Sequence, residues 1–255
     1  MHKVNDRTDL IKRIQEADKI LVGIGDDFEM IEYLKNSETY QSVCNEIADA
    51  ECQWVMPYVN AFFLKDNASI KKAYINLNKL IEGKDYFIIS ACMNGILQEA
   101  GLCKQRIVEP CGSYKMVQKE STDGLHVLPV EPNLLTELDN CIDKKSDWKK
   151  LDKSVAFNCL YTDPYSEVGY QEQWQAYTKW LQGTLNQNLC ILELGSSMMF
   201  ASVLRFRFEK IVSLNKKANL IRVNKRLYQL PEQISDKGIA VSENAVEFMA
   251  ELAKV

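Results

Sequence analysis

The chain has 255 residues, 46% hydrophobic and 26% charged, enough to bury the core of one large α/β domain or one domain with a smaller insertion, and too apolar for disorder. A formal net charge of −4, with no run of five or six basic residues, excludes an electrostatic footprint for DNA or RNA. No apolar run approaches the roughly 18 residues that cross a bilayer, and the start, "MHKVNDRTDLIKRIQEADKI", is charged throughout, so the expectation is a cytoplasmic protein with no membrane partner.

In chain order, "RTDLIKRIQEA" puts Leu10, Ile11, Ile14 and Ala17 on one helical face, with Asp6 available as a cap. "KILVGIG" is a continuous apolar run ending in Gly-x-Gly, the pattern of a buried parallel strand entering a tight turn. Residues 28–83 read as helical: "DFEMIEYLKN", then "ETYQSVCNEIADAECQWVMPYVNAFFL", which Pro57 must kink or break, then "NASIKKAYINLNKLIEG", capped at Asn67 and ended at Gly83. In the middle segment Trp54, Tyr58, Phe62 and Phe63 suit core packing or a lid over a cleft. "KDYFIISA", "KQRIVEP", "NLCILELG", "ANLIRVN" and "KGIAVS" are five further β runs, mostly separated by helical text such as "SEVGYQEQWQAYTKWLQGTLNQ". The alternation predicts an α/β fold with a doubly wound, Rossmann-like parallel sheet.

Residues 112–155 are polar and show one short β run, "LHVLPV", so they are expected to form a small excursion, with the main sheet resuming near Ala156. The predicted organisation is a Rossmann-like core from 1–27, 84–111 and 156–255, a helical insertion from 28–83, and the excursion. None of the eight cysteines forms a C-x-x-C pair, so no zinc ribbon or redox motif is expected, and in a reducing compartment most act as small buried apolar residues.

Ligands of open parallel sheets bind at the carboxyl ends of the strands. The first such end, "GIGDDFE", has Gly23 and Gly25 for a phosphate turn, but Asp26 and Asp27 stand where phosphate oxygens usually sit, and the two carboxylates serve equally to cap the next helix. The second, "LELGSS", offers Gly195, Ser196 and Ser197 to a phosphate or to a helix cap. The third, "LIRVN", places Asn224 where an amide can reach a ribose or base edge.

Taken in order, Gly23-Ile24-Gly25, "SACMNGILQEAGL", "IVEPCGSY", "LELGSS" and "LIRVN" resemble the sirtuin family of NAD-dependent deacylases and ADP-ribosyltransferases. The family's patterns are G-A-G-x-S, T-Q-N-x-D-G-L with a downstream A-G, an H-G before a zinc module, G-T-S and a late I-N. "LIEGKDYFIIS", "GSY" and "RFRFEKIVSLNKKANLIRVNK" are closer to the bacterial class M branch, which modifies lipoyl-carrier proteins encoded beside a macrodomain. The likeness covers about 8–110 and 185–252. It implies NAD as cofactor, with Gly23, Gly25, Asp27, Gly195, Ser196, Ser197 and Asn224 at cofactor-binding positions, and a protein acceptor such as a lipoyl carrier.

The departures fall at the chemistry. Ile24 stands for the family's Ala and Asp27 for its Ser; the G-x-P-D-F-R segment that closes over NAD is replaced by the shorter "DDFEMIEYLKN". Ser90 and Ala91 stand for Thr and Gln, Cys92 for Asn, Asn94 for the carboxamide-binding Asp, and Cys111 for the general-base His. The zinc cysteines are absent, and the two histidines, His2 and His126, match no family position. A cysteine replaces an imidazole base, or acts as a nucleophile, only where positive charge lowers its pKa, and Lys104, Arg106 and Lys115 are the cations near Cys111 in sequence. Deacetylation is therefore the least expected activity. Two readings stay open: an NAD-dependent protein ADP-ribosyltransferase with Asn94, Cys92 and Cys111 at the catalytic positions, or a catalytically silent sirtuin-like module that binds a ligand or protein in the old cleft.

Overall fold

The computed structural model describes residues 7–122 and 124–252; Asp6, the expected cap of the first helix, and His2 lie outside them. The chain runs α1 (Arg7–Glu16), β1 (Lys19–Ile24), α2 (Ile31–Leu34), α3 (Glu38–Asp49), α4 (Met56–Leu64), α5 (Ala68–Ile81), β2 (Asp85–Ser90) and β3 (Ile107–Val108). There follow β4 (Gly112–Ser121), β5 (Gly124–Pro129), α6 (Pro132–Ile142), β6 (Val155–Cys159), α7 (Val168–Gln182), β7 (Leu189–Leu194), α8 (Arg205–Leu214), β8 (Asn219–Val223), β9 (Gly238–Val241) and α9 (Ala245–Glu251).

Why β1 is central can be read from its composition: from Ile20 to Ile24 every residue is buried, as a strand covered on both faces requires. It pairs in parallel with β2 on one side and β7 on the other, and the six-stranded sheet has the order β3-β2-β1-β7-β8-β9. The direction of winding reverses between β1 and β7, so the crevice at their carboxyl ends is the topological switch point where doubly wound folds bind ligands. The fold is α/β, doubly wound, as the alternation of elements predicted. α5 packs against α9 and α1, α8 against β8, and α7 along the β3 edge.

The helical stretch is built as its local signals direct. Asn67 accepts from the amides of Ser69 and Ile70 and starts α5, while Pro57 lies in the first turn of α4, where its missing N–H is not needed. The break between α3 and α4 falls just before it, with Glu51 at φ +54°. Trp54 meets Phe157 and Tyr58 meets Tyr114 edge-on, each with centroids 5.2 Å apart, so these aromatics join the helices to the neighbouring small sheet.

That small sheet corrects the sequence reading in two places. Residues 112–121, expected to be irregular, form β4, the middle of an antiparallel sheet ordered β5-β4-β6. Its first three residues are buried and its last three exposed, so no period-2 alternation marks it. Ala156, where the sequence places the return of the main sheet, belongs instead to β6, paired antiparallel with β4, and the main sheet returns at β7. The expected run "LHVLPV" lies in β5 and carries His126 opposite Lys119.

Candidate functional site

At the switch point the turns after β1 and β7 are locked together. The Gly25 amide donates to Leu194 O (2.7 Å), the Asp27 amide to Gly195 O (3.0 Å), and the Gly195 amide to Val223 O (2.8 Å). A Cβ on Gly25 would lie 2.3 Å from Gly195 O, and Gly195, at φ +67°, would place one 2.5 Å from Asp27 Cβ. These glycines serve a close backbone approach of the two turns. Gly23 serves a third, since a Cβ there would meet the Phe208 ring at 2.3 Å.

Asp26 crosses the crevice. Its Oδ1 accepts from the Ser197 amide at 2.8 Å, so that donor is already engaged by a carboxylate of the chain itself. This differs from the helix cap expected of the two aspartates: the short 3-10 turn Asp26–Glu29 begins at Gly25 with no side-chain cap. Asp27 behind it is pushed up to about 6 by burial and then by Asp26, with Arg226 pulling the other way.

The polar residues expected to hold cofactor are bound to the chain itself. Ser196 is buried, Ser197 Oγ accepts from the Met199 amide (3.2 Å), and Asn224 Nδ2 donates to Ser196 O (3.0 Å) while its Oδ1 accepts from the Arg226 and Leu227 amides (2.9 and 2.7 Å). Asn94 is likewise fully buried, donating to Phe28 O (3.0 Å) and accepting from the Ile96 amide (3.1 Å). Both asparagines act as braces of their turns.

The residue that organises the floor is one that sequence reasoning missed. Glu29, buried, accepts through Oε1 from the amides of Met93 and Asn94 and through Oε2 from Asn60 Nδ2 (3.2 Å); Tyr40 in turn donates to Asn60 Oδ1 (2.8 Å). Burial raises its pKa, and the three donors oppose that rise. Nothing in "DDFEM" marks it, because an acid near a helix start is ordinary on a surface.

Cys92 and Cys111 do not meet the condition set for reactive cysteines. Both are buried; Cys92 Sγ donates to Gly25 O (3.1 Å), and burial, followed by Glu29 and Asp26, raises its pKa well above the usual thiol value. The same causes, with Glu109, push Cys111 up to about 12. Of the three cations near Cys111 in sequence, Lys115 is spent on Glu99 (2.6 Å) and Arg106 on Asp85 (3.3 Å), while Lys104 is exposed at the surface. Burial thus favours the protonated thiol at both positions, against the thiolate that a base or nucleophile needs.

Beside this floor lies a cavity of about 670 Å³. Asp26, Asp27, Glu29, Glu32 and Glu247 line it, with Tyr161 and Met199 at its exposed rim; among the described residues no lysine or arginine lines it, and no residue from 38 to 65. NAD, the cofactor the family resemblance implies, is a poor fit to these residues: its pyrophosphate would meet carboxylates and already bonded amides. Among the described residues no group of three or more His, Cys, Asp or Glu is placed to hold a metal ion, and no helix is long and apolar enough to cross a membrane.

No family model matches the chain. A protein from Staphylococcus aureus (strain Mu50 / ATCC 700699), named Protein ADP-ribosyltransferase, is 21% identical over 267 aligned residues, covering 91% of this chain and 82% of that protein. Among solved structures, Sir2Tm bound to a propionylated peptide matches at TM-score 0.56 and 14% identity over 99% of this chain and 98% of that one. A complex described as Sir2-p53 peptide-NAD+ matches at TM-score 0.55 and 14% identity, covering 98% of each chain. The resemblance drawn from the motifs thus holds across the whole architecture, and the chain has the sirtuin fold.

Proposed function

We propose that this chain is a sirtuin-fold binding protein that keeps the cleft at the switch point but does not turn over NAD there. The observation that carries this reading is the Asp26 carboxylate on the Ser197 amide, backed by Asp27 and a cavity lining without a cation. Two unit charges about 4 Å apart at an effective dielectric of about 20 repel by about 4 kcal/mol, close to a thousandfold in affinity. The buried, protonated Cys92 and Cys111 supply no base for a ribose hydroxyl, so deacetylation has no support.

Calorimetric titration with NAD and with ADP-ribose tests the reading. It expects no heat with either at millimolar concentration, and measurable ADP-ribose binding once Asp26→Ala frees the Ser197 amide. Micromolar binding of NAD by the unaltered chain would sink it.

A second reading, protein ADP-ribosyl transfer, is favoured by the likeness to the Staphylococcus protein over 91% of this chain. It requires the Asp26–Asp27 turn to open and places Asn94, Ser196 and Asn224 in cofactor contact, with a protein acceptor such as a lipoyl carrier. Nicotinamide release from NAD, lost in Asn94→Ala, is the outcome that would establish it.

A further inference from the structure

α4, α5, the turn after β2 and the start of β4 enclose a cavity of about 380 Å³ that shares no lining residue with the acidic cleft. Small-molecule sites run from roughly 300 to 1,000 Å³, so this one has room for a small ligand. Its wall is apolar and aromatic: Tyr58, Ala61 and Phe62 come from α4, Ile75 from α5, Ile96 from the turn and Tyr114 from β4. Tyr58 and Phe62, candidates for a lid over the cleft, wall this separate space instead.

The hydroxyls on the wall are already engaged or turned away. Tyr58 donates to Asp139 Oδ1 (2.6 Å), and Tyr114 donates to Glu99 Oε1 (3.2 Å) while accepting from Lys115 Nζ (2.5 Å). Tyr74 also lines the cavity, but its hydroxyl is closed off from solvent, so it presents only its ring. A hydrocarbon group fills such an interior without stranding a polar partner.

The charged lining residues sit at exposed positions. Glu99 is answered by Lys115 (2.6 Å), and Lys71 faces Asp66 at 3.6 Å. Lys65 is placed differently: its ammonium lies 3.9 Å from the centroid of Phe62, a ring of the cavity wall, and no carboxylate pairs with it among the described residues. The wall itself thus holds a cation beside the apolar space. With the acid answered and this cation not, the charge at the cavity favours an anionic head group over a cationic one.

We propose that this cavity binds a medium-chain carboxylic acid, its hydrocarbon against Phe62, Ile75 and Ile96 and its carboxylate on Lys65. Apolar burial carries most of the affinity, and the exposed ion pair sets the sign of the head group.

The test is calorimetric titration of the full chain with octanoate at millimolar concentration, with hexanoate, octanol and octylammonium beside it. Octanoate is expected to bind, and to outdo hexanoate by about fourfold for each added methylene. Ile75→Trp, at a half-exposed position, puts an indole into the cavity and is expected to abolish binding. Lys65→Ala should weaken octanoate by about two- to fivefold and leave octanol unchanged; since Lys65 is exposed, this variant decides the matter even where Ile75→Trp fails to fold. No heat with octanoate, binding that survives in folded Ile75→Trp, or octylammonium bound as tightly as octanoate overturns the proposal. Asp26→Ala, in the other cavity, is expected to leave this binding unchanged.

Discussion

Glu193 and Glu29 are both buried acids of the strand-end region, yet one faces guanidinium groups and the other only neutral donors. Glu193 on β7 lies opposite Arg222 on β8, which grips it through two bonds of 2.9 and 2.8 Å and also holds Glu209 (2.8 Å), while Arg205 stands 3.7 Å away. Glu29 has two backbone amides and one side-chain amide. Positive charge meets the acid inside the sheet, whereas at the cleft Arg226 acts on Asp27 from outside the cavity lining.

Removing the cation from the first region has the largest expected effect. Arg222→Ala leaves Glu193 charged without its bidentate partner and should cost about 3–5 kcal/mol in urea unfolding. Adding Glu193→Leu should return much of it, because the uncompensated charge goes too. Glu29→Ala strips acceptors from the Met93 and Asn94 amides and should cost about 1–3 kcal/mol. If it costs as much as Arg222→Ala, the contrast between charged and neutral support fails.

pH sharpens the same contrast. The carboxyl of Asp27 is raised from 3.8 to about 6, chiefly by burial and then by Asp26, and that of Glu109 from 4.5 to about 7, chiefly by burial. In this range the folded chain binds more protons than the unfolded one, so both groups favour folding at acid pH, and that contribution is lost as pH rises through 6 and 7. Tm measured across this range should fall with rising pH, and Asp27→Asn or Glu109→Gln should flatten the slope. An unchanged profile in both variants would remove these carboxyls from the account. The smallest effect is on thiol labelling: exposed Cys103 should react before unfolding, Cys92 and Cys111 only with it.

What could be read from sequence was what is local. The apolar run of β1, the cap at Asn67 and the helix start at Pro57 each carry their signal within a few residues. The glycine turns after β1 and β7 were legible in the same way, each as an apolar strand running into a glycine. Asp26 was legible as an objection to phosphate but not as a ligand of Ser197, a partner 171 positions away. Glu29 was invisible for the same reason, its donors arriving from α4 and from the turn after β2. β4 escaped, and β6 was assigned to the wrong sheet, because a small sheet buried at one end leaves no alternation in the sequence.

The bond from Asp26 to Ser197 also has a consequence for competition. A tethered carboxylate is an inhibitor that cannot be diluted, since the fold fixes its effective concentration at the amide. Any ligand of that amide therefore meets a fixed loss of apparent affinity, the same at every protein concentration, and recovers it only through contacts made elsewhere in the cleft.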